Sequence, residues 1–125
     1  MNLATVEIKA FVPARDFEVS KRFYQAIGFS MPWSDDDLAC LSAGECSFLL
    51  QRFFVEEHAR NVQMHLLVGN VDDWYAHVVA QDVVTRFGVR LGELEERPWG
   101  MRDFTLTDPA GVLWRIAQNI PEATR

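Results

Sequence analysis

His65 stands at the centre of an apolar, strand-like run, Val62-Gln63-Met64-His65-Leu66-Leu67-Val68, and is the most legible candidate for chemistry in the chain. A histidine there can ligate a metal, move a proton or hydrogen-bond a ligand. The other two histidines, His58 and His77, fall on a charged linker and on a helix, where surface roles are expected. No nucleophile is set up: the chain has no GxSxG, no GxGxxG and no P-loop, and neither Ser47 nor Thr105 has a His–carboxylate partner at recognisable spacing. Catalytic residues are therefore not assigned. Glu93, Glu95 and Glu96 read as a solvated loop. Cys40 and Cys46 form neither a metal spacing nor a CxxC pair, and two reduced, buried thiols are expected, with a disulfide across a hairpin as the alternative. What the chain does offer is aromatic surface: Trp33, Phe48, Phe53, Phe54, Trp99 and Trp114, with Met101, and Gln51, Arg102 and Arg115 as polar companions. Such walls bind flat or cationic ligands by stacking and by attraction to the ring face.

The elements that must position these residues follow from periodicity. The clearest is the closing hairpin, Asp103 to Thr107 and Val112 to Gln118, around Asp108-Pro109-Ala110-Gly111. Asp first, Pro second and Gly fourth suit a type I turn. A lone hairpin is not stable, so the rest of the chain must supply a sheet. Thr5 to Val12 reads as a first strand, stopped by Pro13. Asp16 to Ile27 reads as a helix: Asp16 is an N-cap, Val19, Phe23 and Ala26/Ile27 recur at helical spacing, and Gly28 ends it. Phe29 to Trp33 is a strand, Ser34 to Asp37 a polar turn, and Leu38 to Ser42 with Cys46 to Phe53 a second hairpin. Phe54 to Asn61 is a short helix or linker. The plan then repeats: a strand over 62–68, a helix capped by Asn70 and running, broken or not, to Phe87 before Gly88, a strand at Val89–Leu91, an acidic loop over 92–98, and the closing hairpin.

The expected fold class is thus α+β: one domain over 1–125 made of two βαβββ modules, about 1–58 and 59–125, whose strongly curved mixed sheets form a cleft. The chain carries 18 acidic and 12 basic residues, a net charge of −6. This excludes nucleic acid as an expected partner, since phosphate binding needs a basic face. No apolar run approaches the roughly 20 residues that span a bilayer, and the N-terminus has no signal-peptide pattern. A cytoplasmic protein without a membrane partner is expected.

Two groups of residues carry a resemblance. Pro13-Ala14-Arg15-Asp16-Phe17 with Lys21-Arg22-Phe23-Tyr24-Gln25-Ala26-Ile27-Gly28-Phe29, and Trp99-Gly100 with Thr107-Asp108-Pro109-Ala110-Gly111-Val112-Leu113-Trp114-Arg115-Ile116-Ala117-Gln118-Asn119, resemble the first helix and last hairpin of the glyoxalase / bleomycin-resistance / extradiol-dioxygenase (vicinal oxygen chelate) superfamily. The bleomycin-resistance branch is the most similar. The resemblance implies paired βαβββ modules and a homodimer. Metal-dependent members hold their ion with histidines and carboxylates on the first and last strand of each module. Carried over by position, those places fall near Lys9, at Gln51 (or Leu49 in the alternative register), at His65 and at Arg115. Lys and Arg are fixed cations, and like charges a few ångströms apart cost roughly 4 kcal/mol at an effective dielectric of 20. No metal and no other cofactor is expected.

The resulting expectation is a metal-free small-molecule binding protein of the bleomycin-resistance type. It would sequester an aromatic or cationic compound, with Trp33, Phe48, Gln51, Phe53, His65, Trp99, Met101, Arg102 and Arg115 as ligand-binding residues. The alternatives are a metal-dependent lyase, isomerase or dioxygenase with a departing ligand set, and a regulatory or sensor domain that uses the same cleft without catalysis.

Overall fold

A buried hydrogen-bond relay ties the two motifs together. Tyr24 and Asp108 lie 84 positions apart, yet the Tyr24 hydroxyl donates to Asp108 Oδ2 at 2.5 Å and accepts from Trp114 Nε1 at 3.0 Å. The computed structural model that shows this describes residues 1–121. Its elements are β1 (Phe11–Pro13), α1 (Phe17–Ile27), β2 (Ser30–Ser34), β3 (Leu38–Ala43), β4 (Cys46–Gln51), α2 (Glu56–Asn61), β5 (Gln63–Leu67), α3 (Val71–Ala80), α4 (Val83–Phe87), β6 (Glu95–Arg97), β7 (Met101–Thr107) and β8 (Leu113–Asn119).

The strands make two four-stranded mixed sheets, ordered β1-β4-β3-β2 and β5-β8-β7-β6. In each, the first strand runs parallel to the fourth and the remaining neighbours are antiparallel. The fold is the expected α+β arrangement with one plan used twice. Asp16 caps α1 by accepting from Val19 N–H, and Asn70 caps α3 by accepting from Asp73 N–H. Gly28, at φ 123°, ends α1, its N–H bonding back to the last turn.

Period-two alternation sorts each strand into two faces. In β4, Phe48 and Leu50 are buried while Ser47, Leu49 and Gln51 stay half-exposed; in β8, Trp114 and Ile116 are buried while Leu113 and Arg115 are not. The buried faces meet in one aromatic cluster. Tyr24, Phe29, Phe48 and Trp114 pack with ring centroids 4.9–5.9 Å apart, mostly edge to face. Residues of both sheets and of α1 therefore share one core.

Three sequence expectations are corrected. The first strand is not Thr5–Val12 but Phe11–Pro13: residues 1–10 form no strand, Val6 and Ile8 are more than 90% exposed, and the segment touches β4 where the Ala10 carbonyl accepts from Leu49 N–H and Glu7 accepts from the Ser47 hydroxyl. Pro13 is the last residue of β1, tolerated there because β1 is an edge strand where a missing N–H costs no ladder bond. The presumed loop over 92–98 contributes β6, while Val89–Leu91 keeps only a single bridge, Leu91 to Leu106. Cys40 faces Leu49 and Cys46 faces Ala43, so they are not opposed; both are free, Cys40 buried and Cys46 exposed. The helical stretch from Asn70 to Gly88 takes the broken form, Asp82 with a φ of 50° separating α3 from α4.

Candidate functional site: two open sheet faces

Each sheet keeps one face for the core and leaves the other open. On the first sheet the open face carries Gln51, Leu49 and Ser47 of β4, with Trp33 of β2 opposite Cys40. Trp33 is 46% exposed and Phe53, just beyond β4, is 66% exposed. Gln51, Arg52 and Phe53 line an open cavity of about 740 Å³ with Asp35, Asp36, Asp37 and Leu38. Asp35 shapes that loop: its Oδ1 accepts from the N–H groups of Asp37 and Leu38, and these bonds hold its carboxyl below the usual range.

On the second sheet the open face carries an ion cluster. Asp103 of β7 has a side chain only 1% exposed, between Arg97 of β6 and Arg115 of β8. Arg97 Nε donates to its Oδ1 at 2.8 Å and Arg115 NH1 to its Oδ2 at 3.2 Å. Glu95 adds a second contact to Arg97 at 2.9 Å. The Asp103 hydrogen bond pushes the Arg97 guanidinium above its ordinary pKa. Arg115 also lies 6.0 Å from the centre of the Trp99 ring, which is 57% exposed. The three strands thus fix Arg115 beside an unshielded indole. His65 shares register with Arg115 across the β5–β8 pair and is exposed.

The nine residues expected to bind ligand fall in separate places. Trp33, Gln51 and Phe53 belong to the open face of the first sheet and its rim. Trp99, Met101 and Arg115 belong to the second sheet and its rim, Met101 facing Arg97 across β6–β7. His65 lines a seam of about 290 Å³ between β4 and β5, with Ser47, Met64 and Leu67. Two of the nine have other partners, although Phe48 also touches the His65 seam. Phe48 is 2% exposed and part of the aromatic core, because it has the parity of Leu50 rather than of Gln51. Arg102 neighbours Asp103 in sequence and so points to the opposite face, where it pairs with Asp72 of α3 at 3.0 Å. That bond holds Asp72 below the usual carboxylate range. His77 bonds the Ala26 carbonyl through Nε2 at 2.9 Å, and both it and His58 are exposed, as expected.

Sequence reasoning missed Arg97 and Asp103 altogether. Their signal was opposite charges six positions apart around a strand turn, which becomes an ion pair only once β6 is known to exist. The four places where the resemblance puts metal ligands do not fit a metal here. Lys9 is paired with Glu7, Arg115 is committed to Asp103, and only His65 and Gln51 remain as neutral donors. Among the described residues no three His, Cys, Asp or Glu side chains gather as a metal would require.

The superfamily model described as glyoxalase/bleomycin resistance protein/dioxygenase matches residues 5–116. The chain belongs to that superfamily. No curated protein sequence matches it. Among solved structures it is similar to a bleomycin-binding protein complexed with bleomycin, at 23% identity and a TM-score of 0.77, covering 92% of this chain and 99% of that one. It is similar to an antibiotic-binding protein from Streptomyces sp. CB03234, at 21% identity and a TM-score of 0.75, covering 94% and 99%. A lactoylglutathione lyase from Agrobacterium tumefaciens shares the fold at 15% identity and a TM-score of 0.65, covering 92% and 94%. A superfamily with both binders and enzymes does not by its fold assign a reaction. No described helix is long and apolar enough to cross a membrane.

Proposed function

We propose that this superfamily member is a metal-free, homodimeric binding protein of the bleomycin-resistance type, which captures a small aromatic or cationic compound on its open sheet faces. One observation carries the reading: Trp33, Phe53 and Trp99 stand 46–66% exposed around those faces, where a metalloenzyme would need anionic ligands. Exposed rings cost solubility unless something covers them. They suit a flat ligand, and the Asp35–Asp37 loop beside Phe53 suits a positive charge on it. The bleomycin-binding and antibiotic-binding names of the structural neighbours point the same way. The net charge of −6 supports a soluble cytoplasmic role without nucleic acid.

A second copy of the chain is the partner this reading requires. Val6 and Ile8 of the N-terminal segment are 99% and 94% exposed, and Leu3 is 80% exposed. Burying a side chain of this size contributes about 1.5–3 kcal/mol, so the segment gains most when another copy covers it.

The test is a titration with metal-free and copper(II)-bleomycin, followed by tryptophan fluorescence, on protein assayed for bound metals. Saturable quenching, weakened by Trp99→Ala and Phe53→Ala at unchanged Tm, is expected. Sedimentation should give a dimer, and Val6→Glu/Ile8→Glu should shift it towards monomer. Stoichiometric transition metal with turnover of a glutathione adduct would replace this reading with the lyase one. Unchanged fluorescence with bleomycin and with other cationic aromatic compounds would end it.

A further inference from the structure

A cavity away from both open faces gathers three of the twelve basic residues of an acidic chain. Its volume is about 340 Å³, and its walls come from four separate segments: Arg15 before α1, Glu56 and Arg60 of α2, Gly88 and Arg90 after α4, and the Thr107–Gly111 turn between β7 and β8. Two of the guanidiniums have partners, and the third extends from a strapped backbone. The Arg15 guanidinium lies 5.1 Å from the centre of the Phe54 ring. Arg60 pairs with Glu56 at 3.0 Å, one helical turn away. The Arg90 backbone is strapped to Thr107 on both sides, its N–H donating to Thr107 Oγ1 at 2.9 Å and its carbonyl accepting from Thr107 N–H at 3.0 Å. Thr107 Oγ1 accepts in that bond, so its own proton is free to donate.

The carboxylates that face the cavity are too few to satisfy these groups. Asp108 is 2% exposed, and its oxygens are spent on Tyr24 and on the N–H groups of Ala110 and Val112. Glu56 is shared between Arg60 and Arg15, the latter at 3.8 Å. Among the described residues no carboxylate pairs with Arg90. Three guanidiniums face two carboxylates, of which Asp108 has no oxygen to spare, so the concave site keeps an excess of positive charge and of N–H donors. Guanidinium matches tetrahedral oxyanions through paired N–H bonds.

We propose that this cavity is a second binding site, which takes a compact phosphate dianion or phosphate monoester between Arg15, Arg60 and Arg90. The ligand is a small soluble one, because the cavity is concave and of small-molecule size. The site is independent of the antibiotic-binding reading.

The probes are inorganic phosphate and glycerol phosphate, titrated calorimetrically at low ionic strength and at a pH above the second phosphate pKa of about 6. Saturable one-to-one binding is expected, with none for glycerol. Arg90→Gln and Arg60→Gln should each weaken it about tenfold or more, the loss of a charge-assisted hydrogen bond. Arg22→Gln, on the exposed face of α1, removes the same charge elsewhere and should leave it unchanged. Arg60 is 71% exposed, so its variant tests the site without disturbing the core. No saturable binding to tens of millimolar phosphate would overturn the proposal. Equal weakening by Arg22→Gln would overturn it too, by reducing the effect to net charge. Binding to phosphatidate vesicles without binding to the free phosphates would replace the ligand with a membrane surface and would also refute it.

Discussion

Tyr24→Phe is the sharpest test of how this fold is held together. The substitution keeps the ring, and with it the edge-to-face contacts to Phe23, Phe29 and Phe48. It removes one hydroxyl that is fully buried and doubly engaged. Asp108 Oδ2 loses its donor and Trp114 Nε1–H loses its acceptor. Each buried polar group left unpaired costs about 1–3 kcal/mol, so a loss of about 3 kcal/mol is expected. In a chain of this size that lowers Tm by roughly 10–15 °C. The loss should also depend on pH. Burial raises the Asp108 pKa above its unfolded value, and the Tyr24 and backbone hydrogen bonds pull it part-way back. A raised folded pKa means that the group's contribution is fully present below the unfolded pKa of about 4 and is lost as pH rises through the folded pKa. Removing the Tyr24 hydrogen bond raises that pKa further. The deficit of Tyr24→Phe relative to the parent should therefore be smaller below about pH 4 and larger at neutrality. Urea unfolding followed by far-UV circular dichroism at several pH values measures both quantities. A loss below about 1 kcal/mol, or one independent of pH, would refute the relay as a stabilising link.

Two further perturbations probe the second sheet. Arg97→Ala/Arg115→Ala strands the Asp103 carboxylate, and urea unfolding should show a loss of about 3 kcal/mol, most of it absent in either single variant because one guanidinium still covers the carboxylate. Equal stability of the double variant would mean that Asp103 is solvated. Gly92→Ala would place a Cβ 2.5 Å from Thr105 Oγ1, with its other near contacts, at 3.5 and 3.6 Å, ordinary ones. A destabilisation of about 1–3 kcal/mol is expected, and Thr105→Ala in the same chain should recover most of it; a double variant no better than Gly92→Ala would move the clash to the backbone.

The elements were legible in the sequence because each is a local statement. Asp16 with Gly28, and Asp108-Pro109 with Gly111, mark ends that neighbouring residues alone determine, and the structure keeps both. The site was less legible because it depends on parity. Phe48 and Gln51 sit three apart on one strand, so they face opposite ways, and only the register decides which of them meets the core. Arg102 and Asp103 divide in the same manner, one to α3 and one to Arg97 and Arg115. The N-terminal segment shows a deeper limit. Val6 and Ile8 alternate with polar neighbours as a strand should, yet this segment joins neither sheet, and both side chains stay exposed. Periodicity reports that a segment is built to be covered on one face. It does not report whether the cover comes from the same chain, and that is why a second copy belongs in the functional reading. The same reasoning explains why two motifs recognised separately proved to be one feature. Tyr24 and Asp108 carry no shared local pattern, and what links them is a bond that only the packed core brings within reach.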